Sequence, residues 1–148
     1  MLELNLPEYA IKIKKEGDAT FLFDPVRKKY IRFTPEEWVR QNFIQYLIQE
    51  KGYPQSLMAV EKTINLLQTK KRCDIVLYSN QGIPKTIVEC KRPSVPISQE
   101  TFDQIARYNM SLNAEYLIVT NGMNHYICKM DHLNESYQFL REVPDYGE

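Results

Sequence analysis

Two carboxylates and an amine fall close together in the middle of this chain: Asp74, Glu89 and Lys91, with Cys90 between the last two. Side chains alternate along an extended strand. A strand Thr86-Ile-Val-Glu-Cys-Lys91 would therefore turn Glu89 and Lys91 to one face, Cα atoms roughly 6.5–7 Å apart, and Cys90 to the other beside Val88. Asp74 opens the preceding apolar run. If the two runs form a hairpin turning tightly at Gln81-Gly82, Asp74 falls opposite Glu89 with Cβ atoms about 4.5–5.5 Å apart. The same register sets Cys73 opposite Cys90 on the other face, and a slip of one residue would break both pairings. Facing carboxylates repel unless a positive charge sits between them. Oxygen donors of this kind suit a hard cation, magnesium or manganese, and the Cys90 carbonyl offers a third oxygen. Such a centre lowers the pKa of a bound water and screens a phosphodiester, while Lys91 orients that water or stabilises charge developing on phosphorus. The bland alternative makes Asp74 and Lys91 polar strand ends, with Glu89 salt-bridged to Lys91.

The surroundings favour the chemical reading. Gln104 and Tyr108 stand one turn apart on the expected second helix, on a flank away from its apolar centre near Phe102 and Ile105. That places a glutamine and a tyrosine to position the lysine and contact a phosphate. The net charge is zero, which argues against a protein that coats nucleic acid by charge alone. Locally the balance differs. Between Lys70 and Arg92 the bases are Lys70, Lys71, Arg72, Lys85, Lys91 and Arg92, and the only acids are Asp74 and Glu89. A basic stretch whose acids are both candidate metal ligands suits a phosphate backbone.

The elements that must hold these groups read as α/β. Thr20–Asp24 and Lys29–Phe33 are expected as short strands around an Asp-Pro turn. Thr34-Pro35-Glu36-Glu37 opens a helix, with Thr34 as N-cap, Pro35 at the first position and Glu37 as a capping-box partner. Val39, Phe43, Tyr46 and Leu47 recur at helical spacing, and Lys51-Gly52 closes the helix. Leu57–Ile64, Cys73–Tyr78 and Thr86–Lys91 read as core strands. A second helix is expected from Ser98 to Asn113, then strands at Tyr116–Thr120 and Asn124–Lys129 around Asn121-Gly122. Lys12, Lys14 and Lys15 read as a solvated arm; Glu61, on the first core strand, could face the site but reads more readily as a solvent-facing charge. With 148 residues and no repeat or linker, one domain over 1–148 is expected.

Taken in order, several motifs carry a family resemblance. They are Thr-Pro-Glu-Glu-Trp-Val-Arg-Gln (34–41), Gly-Tyr-Pro (52–54), Ala-Val-Glu-Lys (59–62) and Lys-Arg-Cys-Asp-Ile-Val (71–76). The series continues with Val-Glu-Cys-Lys-Arg-Pro (88–93), Phe-Asp-Gln-Ile-Ala-Arg-Tyr-Asn (102–109) and Thr-Asn-Gly (120–122). Over roughly residues 20–131 the chain resembles the N-terminal nuclease domain of type I restriction enzyme R subunits, within the Asp…Glu-x-Lys superfamily. The resemblance implies a restriction-endonuclease-like core, a mixed β-sheet flanked by two helices. It implies Asp74 and Glu89 as metal ligands, Lys91 as the catalytic amine, and Gln104 and Tyr108 as an accessory pair. It also implies a glutamate near the start of the first helix, for which both Glu36 and Glu37 fit.

The expected function is magnesium- or manganese-dependent hydrolysis of DNA in restriction, defence or repair. The rivals are an inactive DNA-binding or assembly module of the same fold, and a nuclease directed at RNA. The five glycines form no phosphate-binding loop, so no nucleotide cofactor is expected. A helicase or specificity subunit would be a separate partner. No apolar run approaches a membrane span and the N-terminus lacks a signal peptide's apolar core, so a cytoplasmic location is expected. His125 and His132 lack a third ligand at zinc spacing, and no histidine is placed to activate a serine or cysteine nucleophile.

Overall fold

The computed structural model describes residues 1–66 and 69–148. Strands β1 (Ile13–Glu16), β2 (Ala19–Asp24) and β3 (Lys29–Arg32) form a small antiparallel sheet in that order. Helix α1 (Pro35–Gln49) follows, starting where its cap dictates: the Thr34 hydroxyl accepts the Glu37 N–H at 3.0 Å, and Pro35 fills the first turn. A short 3-10 turn at Gln55–Leu57 leads into β4 (Met58–Leu66), β5 (Thr69–Tyr78) and β6 (Pro84–Cys90). Helix α2 (Gln99–Asn109) precedes β7 (Tyr116–Thr120), β8 (His125–Asp131) and β9 (Ser136–Leu140). Strands β4 to β9 make one mixed sheet in sequence order. Within it β6 and β7 run parallel, and α2 supplies the crossover that a parallel pair requires.

The two helices cover opposite faces of this sheet. Val39, Phe43, Ile44 and Leu47 of α1 pack on Ile75, Val88, Cys90 and Ile118. Phe102 and Ala106 of α2 pack on Val76, Ile87, Leu117 and Val119. Strand β7, buried along its whole length, reads as the continuous apolar run that a strand covered on both faces needs. The mixed α/β architecture with two flanking helices is therefore the one the sequence predicts. Among the described residues no helix is long and apolar enough to cross a membrane.

Four local expectations are corrected. Lys14 and Lys15 lie in β1 rather than in a free arm, although every residue of that strand is exposed. Strand β9 extends the sheet with a largely exposed face, so no apolar alternation announces it. Helix α2 stops at Asn109 and tightens into a 3-10 turn at Met110–Leu112, which Asn113 ends in the left-handed conformation (φ 56°). The β5–β6 hairpin keeps the expected register, Ile75 opposite Val88 and Leu77 opposite Thr86, but reaches it by another route. Gly82 N–H donates to Ser79 O at 2.9 Å and Ser79 N–H to Ile83 O at 2.8 Å, closing a three-residue loop that needs Gly82 at φ 78°. That longer loop would displace the register by one residue. The bulge beside Leu77 and Tyr78 restores it.

Beyond Ile75 the alternation fails. Ile75 and Cys90 belong to the α1 layer, whereas Cys73 joins Val76 and Ile87 in the α2 layer. The expected pairing of Cys73 with Cys90 on one face is thus absent. On β4 the same exchange occurs between Val60 and Ile64, and Glu61 between them holds a left-handed backbone (φ 51°). A left-handed residue inside a strand bends it and sharpens its twist. The outer arm of the β4–β5 hairpin therefore turns over, meeting the 3-10 turn after α2.

Candidate active site

The twist at Glu61 brings four elements to one end of β6. Asp74, at the turning point of β5, accepts the Cys90 N–H on Oδ2 at 2.7 Å, and its Oδ1 lies 3.3 Å from Arg40 Nη1 on α1. Its carboxylate thus sits against the β6 main chain beside Glu89, just past the end of the β5–β6 pairing at Ile75. Glu89 is 9% exposed and lines a cavity of about 210 Å³ with Lys71, Lys91, Gln104, Ile105 and Tyr108. The Lys91 N–H donates to Thr120 O at 2.8 Å, which extends the β6–β7 pairing and fixes the root of that side chain. Glu89, Lys91, Gln104 and Tyr108, expected together from strand and helix periodicity, do line one cavity. Cys90 contributes its main-chain N–H to Asp74, while its side chain is buried in the α1 layer.

The two glutamates at the start of α1 have different surroundings. Glu37 is 3% exposed and accepts from Arg27 Nη2 (2.9 Å), Arg40 Nε and Nη2 (3.1 and 3.0 Å) and Gln41 Nε2 (3.0 Å). Its hydrogen-bonding capacity is committed inside the protein. Glu36 is half-buried, and its carboxyl is pushed upward by burial and then by Asp74, with Arg40 and Lys91 opposing. Glu37 reaches the site through Arg40, which also meets Asp74, whereas Glu36 is acted on by Asp74 and Lys91.

Glu89 is the most perturbed carboxylate. Burial, then the charge of Asp74, raise it to about 7 against the pull of Lys71. Lys71 Nζ stands 3.3 Å from Glu89 Oε1, yet among the described residues that buried oxygen has no hydrogen bond of acceptable geometry. The ammonium supplies charge there without an aligned donor. A raised carboxyl stabilises the fold fully below its unfolded value and loses that contribution as the pH rises through about 7. In metal-free protein, Glu89→Gln should therefore be more stable than wild type at pH 8, by up to about 3 kcal/mol, and nearly equal to it at pH 4. Urea denaturation at both pH values measures this, and a variant weaker than wild type at pH 8 would contradict the assigned strain.

This donor set fits a divalent cation. A carboxylate with an orphaned oxygen beside a second carboxylate gains from any positive charge placed between them. Among the described residues no three His, Cys, Asp or Glu side chains gather at ligand spacing. One or two carboxylates, with waters and substrate oxygens for the rest, are a set that magnesium could use.

Sequence reasoning missed Arg40 and Lys71 as parts of the site. Arg40 could have been suspected from its i, i+3 spacing to Glu37. Lys71 could not, because strict alternation would have placed it with Ile75 on the α1 face. Glu61, read more readily as facing solvent than the site, takes the less favoured of those two places: it meets Arg27 (3.4 Å), Arg40 (3.3 Å) and Arg72, which hold its carboxyl below the ordinary range against its burial. His125 is engaged at both ring nitrogens, by Thr120 Oγ1 at 2.7 Å and Asn5 O at 2.8 Å.

No curated protein matches the chain. One solved structure with a likeness is a fragment assigned as an HsdR subunit of a type I restriction enzyme from Vibrio vulnificus YJ016. It is 21% identical with a TM-score of 0.46, and the match covers 69% of this chain and 22% of that one. A sequence profile of the type I restriction enzyme R protein N terminus matches residues 35–144, from the first residue of α1 to beyond β9. The chain belongs to the family of type I restriction enzyme R protein N-terminal regions.

Proposed function

We propose that this protein is a divalent-cation-dependent nuclease that hydrolyses DNA phosphodiester bonds in restriction, defence or repair. The observation that carries this reading is the buried, partly orphaned Glu89 carboxylate, strained by Asp74 and sharing a cavity with Lys91, Gln104 and Tyr108. Asp74 and Glu89 would hold magnesium or manganese, which when bound activates water and screens the phosphate. Lys91 then donates hydrogen bonds to a non-bridging phosphate oxygen, where charge grows as water adds to phosphorus and the bridging P–O bond breaks. Gln104 and the exposed edge of Tyr108 position the lysine and the strand. Glu36 adds a third carboxylate for a water of the cation's shell. The partners would be DNA and a separate helicase or specificity subunit, working in the cytoplasm.

One observation favours a second reading, an inactive DNA-binding or assembly module. Arg40 and Lys71 already offset part of the charge on Asp74 and Glu89 without any metal. Metal binding separates the two. In the nuclease, millimolar magnesium or manganese should raise the melting temperature at pH 8 and give a calorimetric binding signal, both lost in Asp74→Ala. Cleavage of linear, circular or single-stranded DNA should require the cation. Matched RNA substrates, if preferred, would turn the assignment toward RNA. Identical metal responses in wild type and Asp74→Ala would remove Asp74 from the site, and DNA binding without cleavage would favour the module.

A further inference from the structure

Lys71 has no part in the reaction described above, yet it reaches deeper into the cavity than its position on the chain suggests. The inverted outer arm of β5 carries it over α2, where its ammonium has two anchors. Glu89 Oε1 is 3.3 Å away, and the Tyr108 ring centroid is 4.5 Å away. The first contact lacks hydrogen-bond geometry. The second is a cation–π contact, worth about 0.5–1 kcal/mol on a ring as open as Tyr108, which is 59% exposed. Neither fixes the ammonium firmly. The stem is nevertheless well covered, with the side chain 19% exposed, so the head can change partner without leaving the cavity.

The cavity lining contains one carboxylate, Glu89, and two ammoniums, Lys71 and Lys91. A cation drawn to Glu89 must compete with Lys71 for the same oxygen. Once Lys71 loses that partner, the cavity holds two ammoniums with no carboxylate left to them, beside a tyrosine edge and a glutamine amide. That is a phosphate-binding arrangement. We infer that Lys71 is a displaceable cation: it occupies Glu89 in the metal-free protein and, when a divalent cation takes Glu89, turns on the Tyr108 face to bind the substrate phosphate. This rests on the nuclease reading for the identity of the cation and the anion. It makes cation and DNA binding mutually supportive, because the cation frees a phosphate ligand.

Lys71→Met keeps the stem and removes the charge, and Lys70→Met, one residue away on an exposed side chain, is the control. Calorimetric titration with manganese in the absence of DNA should show Lys71→Met binding the cation on the order of tenfold more tightly, since a competing positive charge has gone. A lysine without a charge contact to Glu89 would not do this, and the salt dependence of DNA binding then separates a displaced ammonium from a static one. DNA affinity measured against salt should lose about one unit of log–log slope in Lys71→Met when calcium is present to block turnover, and none in EDTA. Lys71→Arg should keep the wild-type slope, and near-wild-type melting of all three variants would confirm folding. If Lys71→Met matches wild type in both measurements while wild type binds manganese and cleaves DNA, the displaceable cation is refuted and the nuclease stands. If wild type binds no divalent cation at all, both fall together. Equal loss of slope with and without calcium would make Lys71 a permanent phosphate contact and also overturn the exchange.

Discussion

Replacing Lys91 with alanine is expected to lower the DNA cleavage rate by about 10²–10³ while leaving DNA affinity nearly unchanged. The asymmetry follows from where the lysine sits. Its main chain is pinned to β7 through Thr120, and its side chain shares the cavity with Glu89, which on the proposed nuclease reading puts the ammonium where charge would develop during hydrolysis. Losing one preorganised contact to that charge costs on the order of 10²–10³ in rate. Losing one phosphate contact among several costs little affinity. Stability should hold, because the substitution opens no buried cavity and strands no partner. Arg92, one residue along and exposed, is the matched comparison: Arg92→Ala should cleave like wild type. Single-turnover rates and fluorescence anisotropy on one DNA duplex give both quantities. Wild-type cleavage by both variants would reduce Lys91 to a surface lysine. Weakened binding with an unchanged bound-state rate would make it a DNA contact alone.

The convergence of Glu89, Lys91, Gln104 and Tyr108 was legible in the sequence because local periodicity decides it. A period of two puts Glu89 and Lys91 on one face, a period near 3.6 puts Gln104 and Tyr108 on one flank, and the βαβ crossover brings strand and helix together. What local periodicity could not supply was any break in itself. Glu61 gives no sign in its residue type of adopting φ 51°, and the face exchange that follows moves Cys73 away from Cys90 and Lys71 into the cavity. The register of β5 on β6 came out as expected for a different reason, since an unforeseen loop residue and an unforeseen bulge cancel. Strands β1 and β9 went unread because edge strands with exposed side chains lack the apolar alternation that marks a strand. The choice between Glu36 and Glu37 was closed to sequence for another reason. Both lie in the first turn of α1, and only long-range neighbours tell them apart: Arg27 of the β2–β3 connection for Glu37, Asp74 and Lys91 for Glu36.

Those partners make the two glutamates separable by experiment. Glu37 is the hub of a buried network: Arg27 joins Asp24, Glu37 and Glu61, and Arg40 joins Glu37, Glu61 and Asp74. Its formation adds little net stability, because burying the charges costs nearly what their attraction returns. Removing one member is a different matter. Glu37→Ala leaves Arg40, 5% exposed, without its closest carboxylate and takes the acceptor from Gln41 as well. Arg40 keeps Glu61 and Asp74, each at 3.3 Å, so the loss falls at the low end of the about 3–5 kcal/mol that breaking a buried ion pair costs. For a chain of this length the melting temperature should fall by roughly 10 °C. Cleavage at low temperature should suffer only so far as Arg40 releases Asp74. Glu36→Ala should behave in the opposite way. It removes a half-buried carboxylate pushed up by burial and then by Asp74, so stability should change by less than about 0.5 kcal/mol or improve. Cleavage, however, should drop, most steeply at low magnesium, if Glu36 serves the cation's water shell. Urea denaturation and magnesium-dependent rates for the two variants, measured side by side, give four numbers. Equal destabilisation by both would undo the division of labour between adjacent glutamates. A stable Glu37→Ala would mean that the arginines find other partners and that Glu37 does not hold the network together.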